Sequence, residues 1–312
     1  MAETPTFEEI RYDKPAPGVA RVTLARPDRH NAQGPKMLYE INDALDLAMY
    51  DDEVRVVIIA ADGKNFSSGH DLADTSNIGS SRPPIFGHGG FDYGLQALAS
   101  NIGTARPPIF GHGGFDHPGP QGWMVKEQEI YLGLCWRWRN LGKPIIAQVQ
   151  GKAIAGGLML IWPFDLIVAS EDAEFSDPVV AFGMPGVEYF VHAFELGARR
   201  AKELLFTGEP IGAAEAKTLG MVNRVVPRDE LESHTLALAA KIATRPMIGL
   251  KMAKLSVNQS IDAQGLWTAL QSAFNLHQFG HANNRVIHGG LVDPAGLEVV
   301  RNDARGSAPR KA

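Results

Sequence analysis

Gly151-Lys152-Ala153-Ile154-Ala155-Gly156-Gly157-Leu158-Met159-Leu160 follows the apolar run Ile145 to Val149 and precedes Asp165-Leu166-Ile167-Val168-Ala169-Ser170. An apolar strand, a Gly/Ala turn, a short apolar helix and a second strand aim free backbone N–H groups at whatever lies over the turn. Read alone, Gly156 and Gly157 serve equally well to let a buried helix pack closely. Upstream, Asn65-Phe66-Ser67-Ser68-Gly69-His70-Asp71 forms another Gly-containing turn after another apolar strand, Val54 to Ala61. Two such turns can converge on one oxygen, which makes them a candidate oxyanion site.

Outward from this pair, the chain alternates strands and helices. Val19 to Ala25 reads as a strand by its β-branched content, and Pro35 sits where a first helical turn accepts it. Met37, Leu38, Ile41, Leu45 and Ala48 recur at helical spacing, predicting a helix over Pro35 to Tyr50. Val54 to Ala61 then completes a strand-helix-strand crossover of the kind buried on both faces. Val125 to Asn140 reads as helix, Leu166 to Ser170 as strand, and Ala173 to Pro178 as a short edge segment ended by proline. Helices are expected over Tyr189 to Leu196, Ala198 to Phe206 and Ala213 to Leu219, with Met221 to Val226 the last strand.

From Arg228 the text turns helical, over residues 230–245, 247–258 and 263–281, so the expected boundaries are a core at 1–227, a helical region at 228–288 and a loose tail at 289–312. His277 and His281 stand at i, i+4, a zinc-like spacing, but no acidic third ligand is near in sequence and the pair reads as a solvated helix face. No metal site is expected.

Residues 73–122 break the pattern. Asn77 to Asp92 returns as Asn101 to Asp116 with only Ser80/Thr104 and Ser81/Ala105 changed. One repeat pair is too little for a solenoid, which needs about three units, so a duplicated Gly/Pro-rich surface insertion is expected, dispensable for folding. Its Gly-His-Gly-Gly runs lack the third glycine and the preceding strand of a dinucleotide fingerprint, and His88, His112 and His117 lack a carboxylate cage.

Bulk properties narrow the function. With 30 basic against 35 acidic residues the formal net charge is −5, which gives no electrostatic support for nucleic acid or an anionic membrane. Cys135 is the only cysteine, so an intrachain disulfide is impossible and a reducing, cytoplasmic setting is expected. Met1 to Lys14 lacks the basic and apolar regions of a secretory signal, and the apolar tract Ala153 to Ala169 falls short of the roughly 20 residues a membrane span needs. No Gly-x-Ser-x-Gly elbow exists to anchor a serine hydrolase.

The order F-x-x-G-x-D at Phe66 to Asp71, then K-P-x-I-A-x-V-x-G-x-A-x-x-G-G at Lys143 to Gly157, resembles the enoyl-CoA hydratase/isomerase (crotonase) superfamily. Gly183-Met184-Pro185-Gly186, Ala213 to Ala216 and Gly220 to Val226 fit the same pattern. The resemblance implies an α/β crotonase-type spiral of repeated strand-strand-helix turns with a C-terminal helical region, assembled as a homotrimer or dimer of trimers. It implies an acyl-CoA substrate whose enolate is held by the backbone N–H groups of His70 and Gly156, with no cofactor beyond the substrate's own coenzyme A. Ser68, Gly69, Asp71, Gly157, Met159, Val179 and Tyr189 would line the acyl pocket. Arg29, Asn31, Ala32, Lys64 and Phe66 would bind the CoA, although Arg29 and Lys64 read equally as solvated charges.

One departure matters. Met159 and Val179 stand where the family's hydratases carry two glutamates, and neither side chain can transfer a proton. Asp177 and Glu188 are the nearest replacement acids, with Tyr189 and His192 within reach to assist, while Glu188 also reads as an N-terminal helix charge. Three readings follow: enolate chemistry other than two-glutamate hydration, hydration by other acids, or acyl-CoA binding without turnover. A carboxylate facing the space over Gly156 separates the first two from the third.

Overall fold

The computed structural model describes residues 6–71 and 119–306. The duplicated segment lies outside the described residues.

Six strands form the main sheet in the order β1-β2-β3-β4-β6-β9: β1 (Ile10–Ala16), β2 (Val19–Leu24), β3 (Val56–Ala61), β4 (Ile145–Val149), β6 (Leu166–Ser170) and β9 (Arg224–Val226). β1 pairs antiparallel with β2, and every later pairing is parallel, with β3 meeting β4 at Ile58 opposite Ile146. A smaller sheet stacks β5 (Lys152–Ile154), β7 (Glu174–Ser176) and β8 (Ile211–Gly212). Parallel strands need crossovers that cover both faces, which is why β3 and β4 are apolar almost throughout. The parity of β3 separates two cores. Val57 and Ile59 join the larger one beneath helix α1 (Pro35–Tyr50), while Val56, Ile58 and Ala60 face Leu231, Leu238 and Ala239 of α8 (Leu231–Ala243).

The element order is a mixed α/β spiral with helices gathered after Val226, the crotonase-type architecture expected. Several local expectations need correction. The polar N-terminus contains strand β1, missed because its outward-facing residues are charged. The expected helix at 125–140 starts at Pro120, so residues 120–122 are not part of the insertion. It runs as α2 (Pro120–Glu127), a π-turn segment (Gln128–Gly133) and α3 (Leu134–Arg139). The helix expected from Tyr189 is only α5 (His192–Leu196). After α6 (Ala198–Thr207), α7 (Ala213–Leu219) and α8 come α9 (Met247–Ala263) and α10 (Leu266–His288), each longer than its sequence reading. The loose tail expected from 289 carries helix α11 over Gly296–Gly306, with Asp293 N–H donating to Phe182 O at 3.0 Å.

The fold brings the two glycine turns together at the carboxyl ends of β3 and β4. Ser67 and Ala153 form a parallel bridge, closed by Ser67 N–H to Lys152 O (3.1 Å) and Ile154 N–H to Ser67 O (3.0 Å). A Cβ on Gly157 would lie 2.4 Å from Ser67 O, so the first turn of α4 (Gly156–Ile161) can sit this close only as glycine.

Candidate active site

The two turns leave two amides outside the backbone bonding. The bridge between Gln33 and His70 uses Gln33 N–H to Gly69 O (2.8 Å) and Asp71 N–H to Gln33 O (2.9 Å), so the His70 N–H points away from it. Gly156 opens α4, and a first-turn N–H has no acceptor in its own helix. A Cβ on Gly156 would stand 3.1 Å from His70 N, and one on Gly69 would stand 3.2 Å from Gly156 N, so the two amides are close neighbours. Ala155, between the turns, has φ +47°, a conformation costly for a residue with a Cβ and concentrated at functional sites. Its N–H donates to Ser176 O at 2.8 Å, which holds it there.

Side chains then gather around that point. The His70 ring abuts Gly156, its Nδ1 2.7 Å from where a Cβ would be, and stacks on Tyr131 of the π-turn segment with centroids 3.9 Å apart. His70 Nε2 meets Glu188 Oε2 at 3.2 Å, while Nδ1 is buried with no hydrogen-bond partner among the described residues. Burial opposes a charged His70 ring, but the Glu188 carboxylate outweighs it and the imidazole pKa is raised. Burial likewise disfavours charge on Glu188, yet the imidazoles of His70 and His277 overcome this and hold its carboxyl down at about 2. Glu188 thus faces the turns as a carboxylate, reaching the space over Gly156 through an imidazole.

Behind Glu188 the network continues. His277 Nε2 lies 3.5 Å from Glu188 Oε1 and 3.0 Å from His281 Nε2, and His281 Nε2 lies 3.1 Å from Glu127 Oε1. The solvated face expected for His277 and His281 is therefore corrected: they are 3% and 5% exposed, and Glu127, 7% exposed, supplies the nearby acid. No sequence spacing could find it, because Glu127 comes from α2, 150 residues upstream of His277. Burial disfavours the charged His281 ring, but its hydrogen bond to Glu127 prevails and lifts it to about 9.

Asp177, the other expected acid, is already occupied. Its Oδ2 accepts from Val187 N–H (3.0 Å) and pairs with His192 Nε2 (2.8 Å), and its Oδ1 accepts from Val179 N–H (3.2 Å). It fixes the loop that carries Glu188, and its bonding is that of a support with both oxygens engaged.

Against this geometry, the family model described as enoyl-CoA hydratase/isomerase matches residues 15–100 and 125–289. A Mycobacterium tuberculosis protein named "Putative enoyl-CoA hydratase EchA13" is 42% identical, over 97% of this chain and 90% of its own. The chain belongs to the enoyl-CoA hydratase/isomerase family. A structure titled as a probable enoyl-CoA hydratase from Mycobacterium smegmatis matches with TM-score 0.75 at 43% identity, covering 91% of this chain and 99% of that one. Another from M. smegmatis, titled a monofunctional enoyl CoA isomerase, matches with TM-score 0.58 at 26% identity over 81% and 94%. As a member of this enzyme family the chain acts on acyl-CoA, and its relatives span both reaction types.

The remaining expected residues divide by what their side chains can offer an enoyl-CoA hydratase/isomerase-family site. Met159 is buried on α4 and Val179 packs on the core edge, so the two positions stay apolar in space as in sequence. Asn31 is buried with its Nδ2 donating to the carbonyls of Asp62 (2.9 Å) and Phe66 (3.1 Å), and Phe66 is core. These two therefore shape the expected CoA loop from behind. Arg29 and Lys64 are exposed, with Ala32 half-buried, on the two segments that Asn31 ties together. Ser68 is exposed beside Gly69, while Asp71 accepts from Arg26 at 3.1 Å. Tyr189 is in the core and lines a separate cavity of about 450 Å³ with Arg139, Trp162 and Lys254. Among the described residues no helix is long and apolar enough to cross a membrane.

Proposed function

We propose that this enzyme holds an acyl-CoA thioester carbonyl at the His70 and Gly156 amides and moves a proton through His70, with Glu188 as its partner. The observation that carries the reading is the His70 ring itself: Nε2 on Glu188, Nδ1 without a partner among the described residues, and the ring against Gly156. Donors aimed at the developing oxyanion contribute on the order of 10² to 10³ each. An enolate forms as His70 Nδ1 takes the proton next to the carbonyl, and Glu188 stabilises the imidazolium. Return of that proton to another carbon shifts the double bond, with all atoms conserved. Two-glutamate hydration lacks its acids, each ordinarily worth about 10² to 10⁴ in rate, because Met159 and Val179 stand in their places.

Assaying purified protein with crotonyl-CoA for hydration and with a 3-enoyl-CoA for isomerisation tests this. Isomerisation is expected to exceed hydration. Hydration at rates ordinary for the family would overturn the reading, and tight CoA binding without either turnover would favour a binding or scaffold role.

The reading includes a homotrimer or dimer of trimers in the cytoplasm. Ile248, Met252 and Leu255 on α9 and Phe279, Val286 and Ile287 on α10 are exposed, an apolar surface suited to burial against other copies. Sedimentation at micromolar concentration is expected to give three or six chains, and a monomer would refute the assembly.

A further inference from the structure

The geometry points to a divalent metal site of the zinc class built from Glu127, His277 and His281. The far nitrogens of the two rings are both tied to backbone. His277 Nδ1 lies 2.8 Å from Gly186 O and His281 Nδ1 2.7 Å from Leu291 O. A carbonyl only accepts, so both Nδ1 atoms carry hydrogen, and once the Nε2 proton that His281 directs to Glu127 is displaced both Nε2 lone pairs face inward. Those nitrogens stand 3.0 Å apart, a separation at which two bare lone pairs repel. A proton or a metal cation has to lie between them.

A backbone carbonyl on the remote nitrogen is how metal-binding imidazoles are oriented. Two nitrogens on one tetrahedral zinc, each at about 2.0–2.1 Å from it, lie roughly 3.3 Å apart. The third donor is a carboxylate, Glu127 Oε1, 3.1 Å from His281 Nε2. Its other oxygen accepts from Gln278 at 2.6 Å, so this ligand is oriented as well. The ligating atoms of all three residues lie within 4.8 Å of one another. Two imidazoles and a carboxylate suit zinc or cobalt rather than the all-oxygen shells of magnesium and calcium. The packing that delivers the pair is equally specific. A Cβ on Gly280, between the two histidines on α10, would come within 2.7 Å of Gly183 O, so the helix seats against the loop that supplies Gly186 O only because that residue is glycine.

A proton is the competing occupant, and it also binds without any metal being present. The experiment separates the two. The full chain is treated with chelator and titrated with cobalt(II) in the visible range, with zinc(II) as competitor, alongside a His88, His112 and His117 to Ala variant that removes the other histidine-rich segment. One equivalent of cobalt per chain is expected in both proteins, with tetrahedral-type absorption bleached by zinc. Glu127→Gln and His281→Gln are each expected to weaken binding at least about tenfold. X-ray absorption on zinc-loaded wild-type protein is expected to count two imidazole nitrogens, which needs no variant to fold. Absence of stoichiometric binding, binding lost only with the loop histidines, or a zinc shell without two imidazoles would each overturn the site and leave the shared proton. None of these outcomes depends on turnover of acyl-CoA.

Discussion

Two buried carboxylate–imidazole pairs, whose carboxylates stand eleven positions apart in the chain, do different work. Asp177 and His192 are both 0% exposed, and every oxygen of Asp177 is already bonded, two of its three partners being backbone N–H groups. The Glu188 carboxylate is nearly as buried, but its partner His70 is 20% exposed and sets its Nδ1 beside Gly156. Each imidazole keeps an Nδ1 without a partner among the described residues, so what separates the pairs is place: His192 is sealed in the core as a lock, whereas His70 is partly exposed with its Nδ1 against Gly156. Asp177 supports the other pair directly, because the Val187 amide it binds precedes Glu188 in the chain.

The sharpest way to break the contrast is Asp177→Ala. It strands His192 and two amides in the interior, and removal of one partner of a buried pair typically costs about 3–5 kcal/mol. Urea unfolding is expected to show that loss and the thermal midpoint to fall by roughly ten degrees. A cost under about 1 kcal/mol would show that Asp177 is not a lock. Glu188→Gln is expected to shift the balance the other way, lowering kcat about 10² to 10⁴-fold with a smaller stability loss than Asp177→Ala, since the amide still accepts from His70 although the ionic part of the pairing is gone. A variant that keeps its turnover would remove Glu188 from the working pair.

The smallest effect concerns pH. His70 faces Glu188 directly, with the fields of Glu127 and Asp177 acting in the same sense and Tyr131 stacked on its ring. Its folded pKa is raised above the ordinary value near 6.5, so the stability it contributes is complete below about 6.5 and is lost as pH rises through the raised value. Stability measured against pH is expected to decline over that window in wild type and to flatten in His70→Gln. An unchanged slope in the variant would mean that His70 folds neutral.

The parts that the sequence made legible were those decided by neighbouring residues. Val56 to Ala61 and Ile145 to Val149 are buried on both faces, so their apolar runs read as central strands at once. Gly69, Gly156 and Gly157 stand where backbone must approach backbone, and that requirement is written in the residue itself. The absence of acids at Met159 and Val179 was equally plain. β1 was hidden because an edge strand with charged outward residues carries little apolar alternation. The histidines of α10 were misread because a lone helix does not reveal which face is buried. Whether the imidazole beside Asp177 or the one beside Glu188 reaches the glycine turns, and whether His277 and His281 meet Glu127, depends on contacts between residues up to 154 positions apart. Local patterning fixes strands and turns because their bonds run between near neighbours or along repeating backbone. Ionisable groups are assigned their work only by the partners that packing delivers, and those partners have no fixed spacing in the chain.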